Sequence, residues 1–138
     1  MTQMNTLAEG GCLCGAVRYQ VRGEPLAKSL CHCRSCRLAS GAPSVAWVVF
    51  KSGDFEFIVG RAMTYSSSPG VTRAFCGDCG TPLTYQSASR MDTIDVTTVS
   101  LDHPEDFAPT EEIWVEHRLP WEALNAALPH HSRGSNTA

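Results

Sequence analysis

Seven cysteines fall in three tight groups along the 138 residues: Cys12 and Cys14 as C-x-C, Cys31, Cys33 and Cys36 as C-x-C-x-x-C, and Cys76 and Cys79 as C-x-x-C. None stands alone. Core thiols behave as small hydrophobes and have no reason to gather at chelating spacing, whereas a zinc site needs short loops that bring several sulfurs within ~2.3 Å of one ion. Residues 1–11 hold neither a basic residue nor an apolar run of signal-peptide type, so a reducing, cytoplasmic setting is expected, and the odd cysteine number also speaks against a disulfide framework. Metal binding is the reading favoured over buried structural thiols or a redox dithiol.

A closed structural zinc takes four protein ligands, and a catalytic zinc takes three and keeps one position open. If each group stays whole, seven thiolates divide in that way only when Cys12 and Cys14 join Cys76 and Cys79, leaving Cys31, Cys33 and Cys36 as a trio. Two Zn²⁺ per chain are expected, one closed and one open. In Phe75-Cys76-Gly77-Asp78-Cys79-Gly80-Thr81-Pro82 the glycines sit where a metal knuckle turns and lets backbone N–H groups approach sulfur, and Cys12-Leu13-Cys14-Gly15 repeats the device. The closed site would tie the start of the domain to its middle and brace a small core.

The trio lies among polar and basic residues, Leu30-Cys31-His32-Cys33-Arg34-Ser35-Cys36-Arg37. On an extended chain Cys31 and Cys33 point to one side and His32 to the other, which makes His32 a poor fourth ligand. It is expected as a neutral imidazole satisfied by a carbonyl or packed at the surface, with a role behind the ligands or against substrate as the alternative. Of the other histidines only His103 and His117 are candidates to reach the open site; His130 and His131 are expected to be solvated. Lys28, Arg34 and Arg37 stand near the trio as charges that offset it or receive substrate carboxylates, or as plain solubilising groups. Ser40-Gly41-Ala42-Pro43 reads as a turn beside the pocket or a link into the next strand, and Trp47, Trp114 and Trp121 as core or rim.

Elsewhere the pattern is mainly β. Apolar residues at 17, 19 and 21 alternate with polar ones, and further strands are expected at 26–30, 45–50, 55–59, 62–65, 71–75, 83–86 and 93–100, separated by turns such as 51–54 and 66–70. Short helical turns are expected at 35–39 and 121–128. Domain boundaries are placed at 1–9 for an N-terminal extension, 10–128 for a single zinc domain and 129–138 for a polar, frayed tail. A net charge of −3 and 18% charged residues disfavour a nucleic-acid partner, and no apolar run approaches the ~20 residues of a membrane helix.

Seven segments together carry a resemblance: Gly11-Cys12-Leu13-Cys14-Gly15, the Cys31 to Arg37 segment, Ser40-Gly41-Ala42-Pro43, Ser67-Ser68-Pro69-Gly70, Phe75 to Leu83, Leu101-Asp102-His103-Pro104 and Arg118-Leu119-Pro120-Trp121. Over roughly residues 10–121 the chain resembles the glutathione-dependent formaldehyde-activating enzyme (Gfa) family, also called the centromere protein V family, whose fold is of the Mss4-like class. The resemblance implies a zinc-bearing β-sheet fold with short hairpins and little helix. It implies a structural zinc on Cys12, Cys14, Cys76 and Cys79, and an active-site zinc on Cys31, Cys33 and Cys36. It further implies carbon–sulfur lyase chemistry, the reversible joining of formaldehyde and glutathione to S-hydroxymethylglutathione.

Three thiolates make zinc a weak Lewis acid, better suited to holding a substrate thiolate than to generating hydroxide. The reading is therefore a zinc-dependent carbon–sulfur lyase acting on a small-molecule thiol and an aldehyde, with Arg34 and Arg37 as substrate contacts. Its rivals are a non-catalytic zinc module of binding or chaperone-like type and an iron or redox site on the same thiolates.

Overall fold

The computed structural model describes residues 7–134. Two β-sheets carry the chain. The smaller is antiparallel and consists of β1 (Leu7–Gly11), β2 (Arg18–Arg22) and β5 (Phe55–Val59), in that order. The larger has seven strands in the order β10, β3, β4, β9, β8, β7, β6, formed by β3 (Ala27–Cys31), β4 (Val45–Lys51), β6 (Met63–Ser68), β7 (Val71–Phe75), β8 (Pro82–Ser87), β9 (Thr93–Thr97) and β10 (Glu111–Ile113). All its pairings are antiparallel except β10 on β3. A single α-helix among the described residues, α1 (Arg34–Ser40), joins β3 to β4. The expectation of a mainly β, Mss4-like fold with short hairpins and little helix is met. Among the described residues no helix is long and apolar enough to cross a membrane.

The alternation of side chains along a strand decides what each face of the larger sheet does. From β4, Val48 and Phe50 enter the main core, where they meet Tyr19 and Val21 of β2 and Ile94 and Val96 of β9. Trp47 of β4 points the other way into a second cluster with Cys31, Cys36 and Tyr85. On β8 the register shifts opposite Ala74 and Phe75, and this bulge lets Leu83 join the main core while Tyr85 joins the second cluster. One face of the sheet is thus the core and the other is the wall of a site.

Several boundaries differ from the sequence reading. The segment expected as an extension, 1–9, overlaps β1: residues 7–9 pair with β2, and 1–6 lie outside the described residues. β9 stops at Thr97, because Thr98–Ser100 turns as a 3-10 helix whose Ser100 hydroxyl accepts from the Thr97 hydroxyl and meets the buried Tyr19 hydroxyl. No helix forms at 121–128. There the Asn125 N–H donates to the Glu112 carboxylate and the Asn125 Oδ1 accepts from Ala127 N at 2.9 Å, so local hydrogen bonds replace a helical ladder. Nor is 129–133 frayed. Its carbonyls at Pro129, His131 and Arg133 accept from the N–H groups of Glu112, Val115 and Trp114 at 2.9, 3.1 and 3.0 Å, forming a strap along the outer edge of β10. Residues 135–138 of the expected tail lie outside the described residues.

Candidate functional site

The two thiol groups divide as the spacing suggested. The Sγ atoms of Cys12, Cys14, Cys76 and Cys79 all lie within 4.8 Å of one another, and so do those of Cys31, Cys33 and Cys36. In the first group Cys14 Sγ is 3.7 Å from Cys12 Sγ and 3.8 Å from Cys76 Sγ. A tetrahedron with metal–sulfur bonds of ~2.3 Å has edges of about 3.8 Å, so these sulfurs fit a tetrahedral thiolate ion such as zinc. Two tight loops present them. Gly15 and Gly80 hold φ of +82° and +84°, a region that favours glycine, and close the turns after Cys14 and Cys79. Backbone N–H groups of Val17, Asp78 and Cys79 point at sulfur at 3.3 to 3.4 Å. The Thr81 hydroxyl beside Cys79 is the main reason that its thiol is pushed down to about 5. Leu13 N–H donates to the same hydroxyl at 3.0 Å, which links the two loops.

In the trio, Cys31 ends β3 and Cys33 is the N-cap of α1, its sulfur accepting from Cys36 N at 3.2 Å. The thiols of Cys31 and Cys36 crowd Cys33 and drive its pKa down to about 2, while the same closeness, with burial, pushes Cys31 up. Three thiols this close do not all ionise unaided, and a soft divalent cation is what lets adjacent sulfurs ionise together. The donor set fits zinc.

His32 is a correction. It is wholly buried rather than at the surface, and its Nε2 meets not a carbonyl but Glu112 Oε1 at 2.7 Å, a carboxylate equally buried. Its backbone N–H donates to Ile113 O at 3.1 Å. The side chain is turned away from the sulfurs, as alternation required, and locks the trio's loop to β10. His130 is exposed, as expected, but its ring is held in place: its Nε2 contacts Asn125 O at 2.8 Å and Glu112 Oε2 at 3.4 Å. His131 is half-buried against Glu111 at 3.3 Å. His103 is exposed beside Glu105, whereas His117 borders the trio's cavity, its Nδ1 accepting from Arg34 N at 3.4 Å.

Two cavities adjoin the trio and share Cys36, Trp47 and Arg73 as a common wall. The first has a volume of about 360 Å³ and the second about 300 Å³, at the lower end of the size of small-molecule sites. Arg34 lines the second. Arg37 lines neither, and its Nε is buried without a partner. Lys28 alternates away from Ala27, Ser29 and Cys31 on β3 and opens on a separate cavity beside Asp102 and Phe107. Trp47 is buried, Trp114 lines the second cavity and Trp121 is exposed; Ser40 borders the first cavity, and Gly41 caps α1.

The dominant cation of the site is one that sequence reasoning passed over. Arg73 is 6% exposed, donates from Nε to Ser67 Oγ at 2.8 Å, lies 4.9 Å above the Tyr85 ring and brings Nη2 to 4.0 Å from Cys36 Sγ. Asp95, on the second cavity's wall, was also passed over; burial holds its carboxyl up at about 6 against the pull of Arg90 and Arg73. The signal was an Arg between Thr72 and Ala74, and an Asp between Ile94 and Val96, each inside a predicted strand.

Comparison with known proteins converges on one family. Residues 7–117 match the family model described as glutathione-dependent formaldehyde-activating enzyme. A Schizosaccharomyces pombe protein named as an uncharacterized lyase is 36% identical over 77 residues, 54% of this chain and 54% of its own length. A Halomonas elongata protein named as a putative glutathione-dependent formaldehyde-activating enzyme is 34% identical over 88 residues, 56% of this chain and 54% of its own. The chain spans about half the length of these curated relatives. A crystal structure of a Rhodobacter sphaeroides protein is similar in fold, with a TM-score of 0.60 at 24% identity, covering 73% of this chain and 97% of that one.

Proposed function

Because the chain belongs to the glutathione-dependent formaldehyde-activating enzyme family, we propose that it is a zinc-dependent carbon–sulfur lyase, forming or cleaving a thiol–aldehyde adduct of the S-hydroxymethylglutathione type at Cys31, Cys33 and Cys36. The observation that carries this reading is that the three clustered thiols line one cavity, with Cys36 on the wall it shares with a second. Zinc held there supplies a soft Lewis acid that acidifies an incoming thiol and fixes its sulfur. Cys12, Cys14, Cys76 and Cys79 hold a second, structural zinc in this reading.

The chain's own groups supply the rest. Arg34 and Arg73 receive the thiol's carboxylates in the second cavity, and Arg37, which lines neither cavity, is given no contact in this reading. Addition requires the thiol's proton to finish on the carbonyl oxygen. Asp95, with a carboxyl held near 6 and a place on the same wall, is the acid suited to exchanging that proton near neutral pH.

The test is a thiol panel with glutathione first, following formaldehyde exchange by NMR with zinc content measured in parallel. Exchange above the uncatalysed rate, lost in Cys33→Ser, is expected. An uncatalysed rate for every thiol with zinc fully loaded would leave the protein a binding module.

A further inference from the structure

The two cavities that meet at Cys36, Trp47 and Arg73 differ in chemistry. The second carries Arg34, Arg73, Arg90, Asp95, Glu111 and His117. The first is walled by Ala39, Val45, Tyr65, Ala74, Phe75 and Pro82, and apart from Cys36 and Arg73 at the junction its described lining brings no ionisable group other than the Tyr65 phenol. Two of its three Ser and Thr hydroxyls are committed elsewhere, Ser40 Oγ donating to Cys36 O at 2.7 Å and Thr97 Oγ1 to Pro82 O at 2.9 Å, which leaves the Thr84 hydroxyl as the small polar group of the wall. Tyr65 and Phe75 meet edge-on with centroids 5.7 Å apart and give the chamber an aromatic side. Formaldehyde has no apolar surface to set against such walls, and it would leave most of a chamber of about 360 Å³ to water held against apolar side chains.

We propose that the adduct handled here is that of a larger, apolar aldehyde, alkyl or aryl, with its side chain in the first cavity and the charged groups of its thiol in the second. The inference rests on the thiol–aldehyde reading and deepens it. In the forward direction the S–H bond breaks and its electron pair forms the new bond from sulfur to the carbonyl carbon, while the C=O π pair moves to oxygen and takes up the thiol proton as the O–H bond. The reverse step returns both reactants, and no oxidant or reductant enters. Arg73, at the shared wall, stands where the charged and apolar parts of such an adduct join.

Stable thioethers test this without turnover. Calorimetric titration of the zinc-loaded protein with S-methyl-, S-butyl- and S-hexylglutathione is expected to show affinity rising about fourfold per methylene. Ala39→Phe, which fills the chamber from α1, is expected to flatten the series. Tyr65→Ala, on the exposed edge strand β6, is expected to move the preferred length upward by widening the chamber. Equal affinity across the series, or a length dependence indifferent to both substitutions, would overturn the inference; glutathione-dependent formaldehyde exchange persisting alongside would leave the proposed function standing. A parallel series of S-alkyl-N-acetylcysteines separates the other case. Length dependence there, with no binding of any glutathione conjugate, supports the chamber and removes glutathione as the thiol. No binding of either series overturns both.

Discussion

Glu112 and His32 share a 2.7 Å contact with neither side chain exposed. Burying such a pair is costly, and removing one member leaves the other unpaired in a dry interior. Glu112→Ala is therefore expected to destabilise the fold by about 3 kcal/mol, read as a shift in the denaturant midpoint, with the double variant Glu112→Ala, His32→Ala losing less than the sum. Asp95 behaves in the opposite sense to a salt-bridged acid. Its carboxyl is raised to about 6 by burial, so the native state holds the proton more tightly than the unfolded chain. That contribution to stability is complete below about pH 4 and is lost as pH rises through 6. The stability advantage of Asp95→Asn over the parent should grow from pH 4.5 to pH 7, and a constant difference would show that Asp95 does not titrate there. These residues were hidden in the sequence for a common reason. A lone Glu, Asp or Arg within a strand reads as solvent-facing until the partner on its face is known, and Glu112 finds His32 from 80 positions away.

At the scale of elements, strands 55–59 and 71–75 were legible to the residue, because turn residues bound them on both sides. β1 was not: Leu7–Gly11 reads LAEGG, with little β propensity, and it is a strand because β2 offers it a full antiparallel register. The thiol clusters were legible because chelation is written in local spacing, whereas the strap at 129–133 depends on hydrogen bonds to a distant three-residue strand. A chain ended after Leu128 should expose β10, and amide exchange at Glu112, Trp114 and Val115 should accelerate by at least tenfold. The four-thiol cluster joins the β1–β2 loop to the β7–β8 loop, but the trio sits within one β3–α1 segment. Cys76→Ser is accordingly expected to abolish the far-UV circular dichroism of the fold, and Cys33→Ser to lose metal with the spectrum kept. Equal loss in both would contradict that division.

For the whole molecule, the larger sheet serves two interiors at once. Along β4, Val48 and Phe50 face the core while Val45, Trp47 and Val49 face the cavities; along β9, Ile94 and Val96 face the core while Asp95 and Thr97 face the cavities. Purified protein should contain about two zinc ions per chain, and graded chelation should empty the trio before the sheets melt. The alternation also has a bearing on descent. Neighbouring codons in β4 and β9 answer to separate demands, so a lineage can alter every second position and remodel what the pocket accepts while the intervening positions keep the domain folded. A family built on this sheet can diversify its substrates by single steps, with the thiol clusters as fixed posts and no need to pass through an unfolded ancestor.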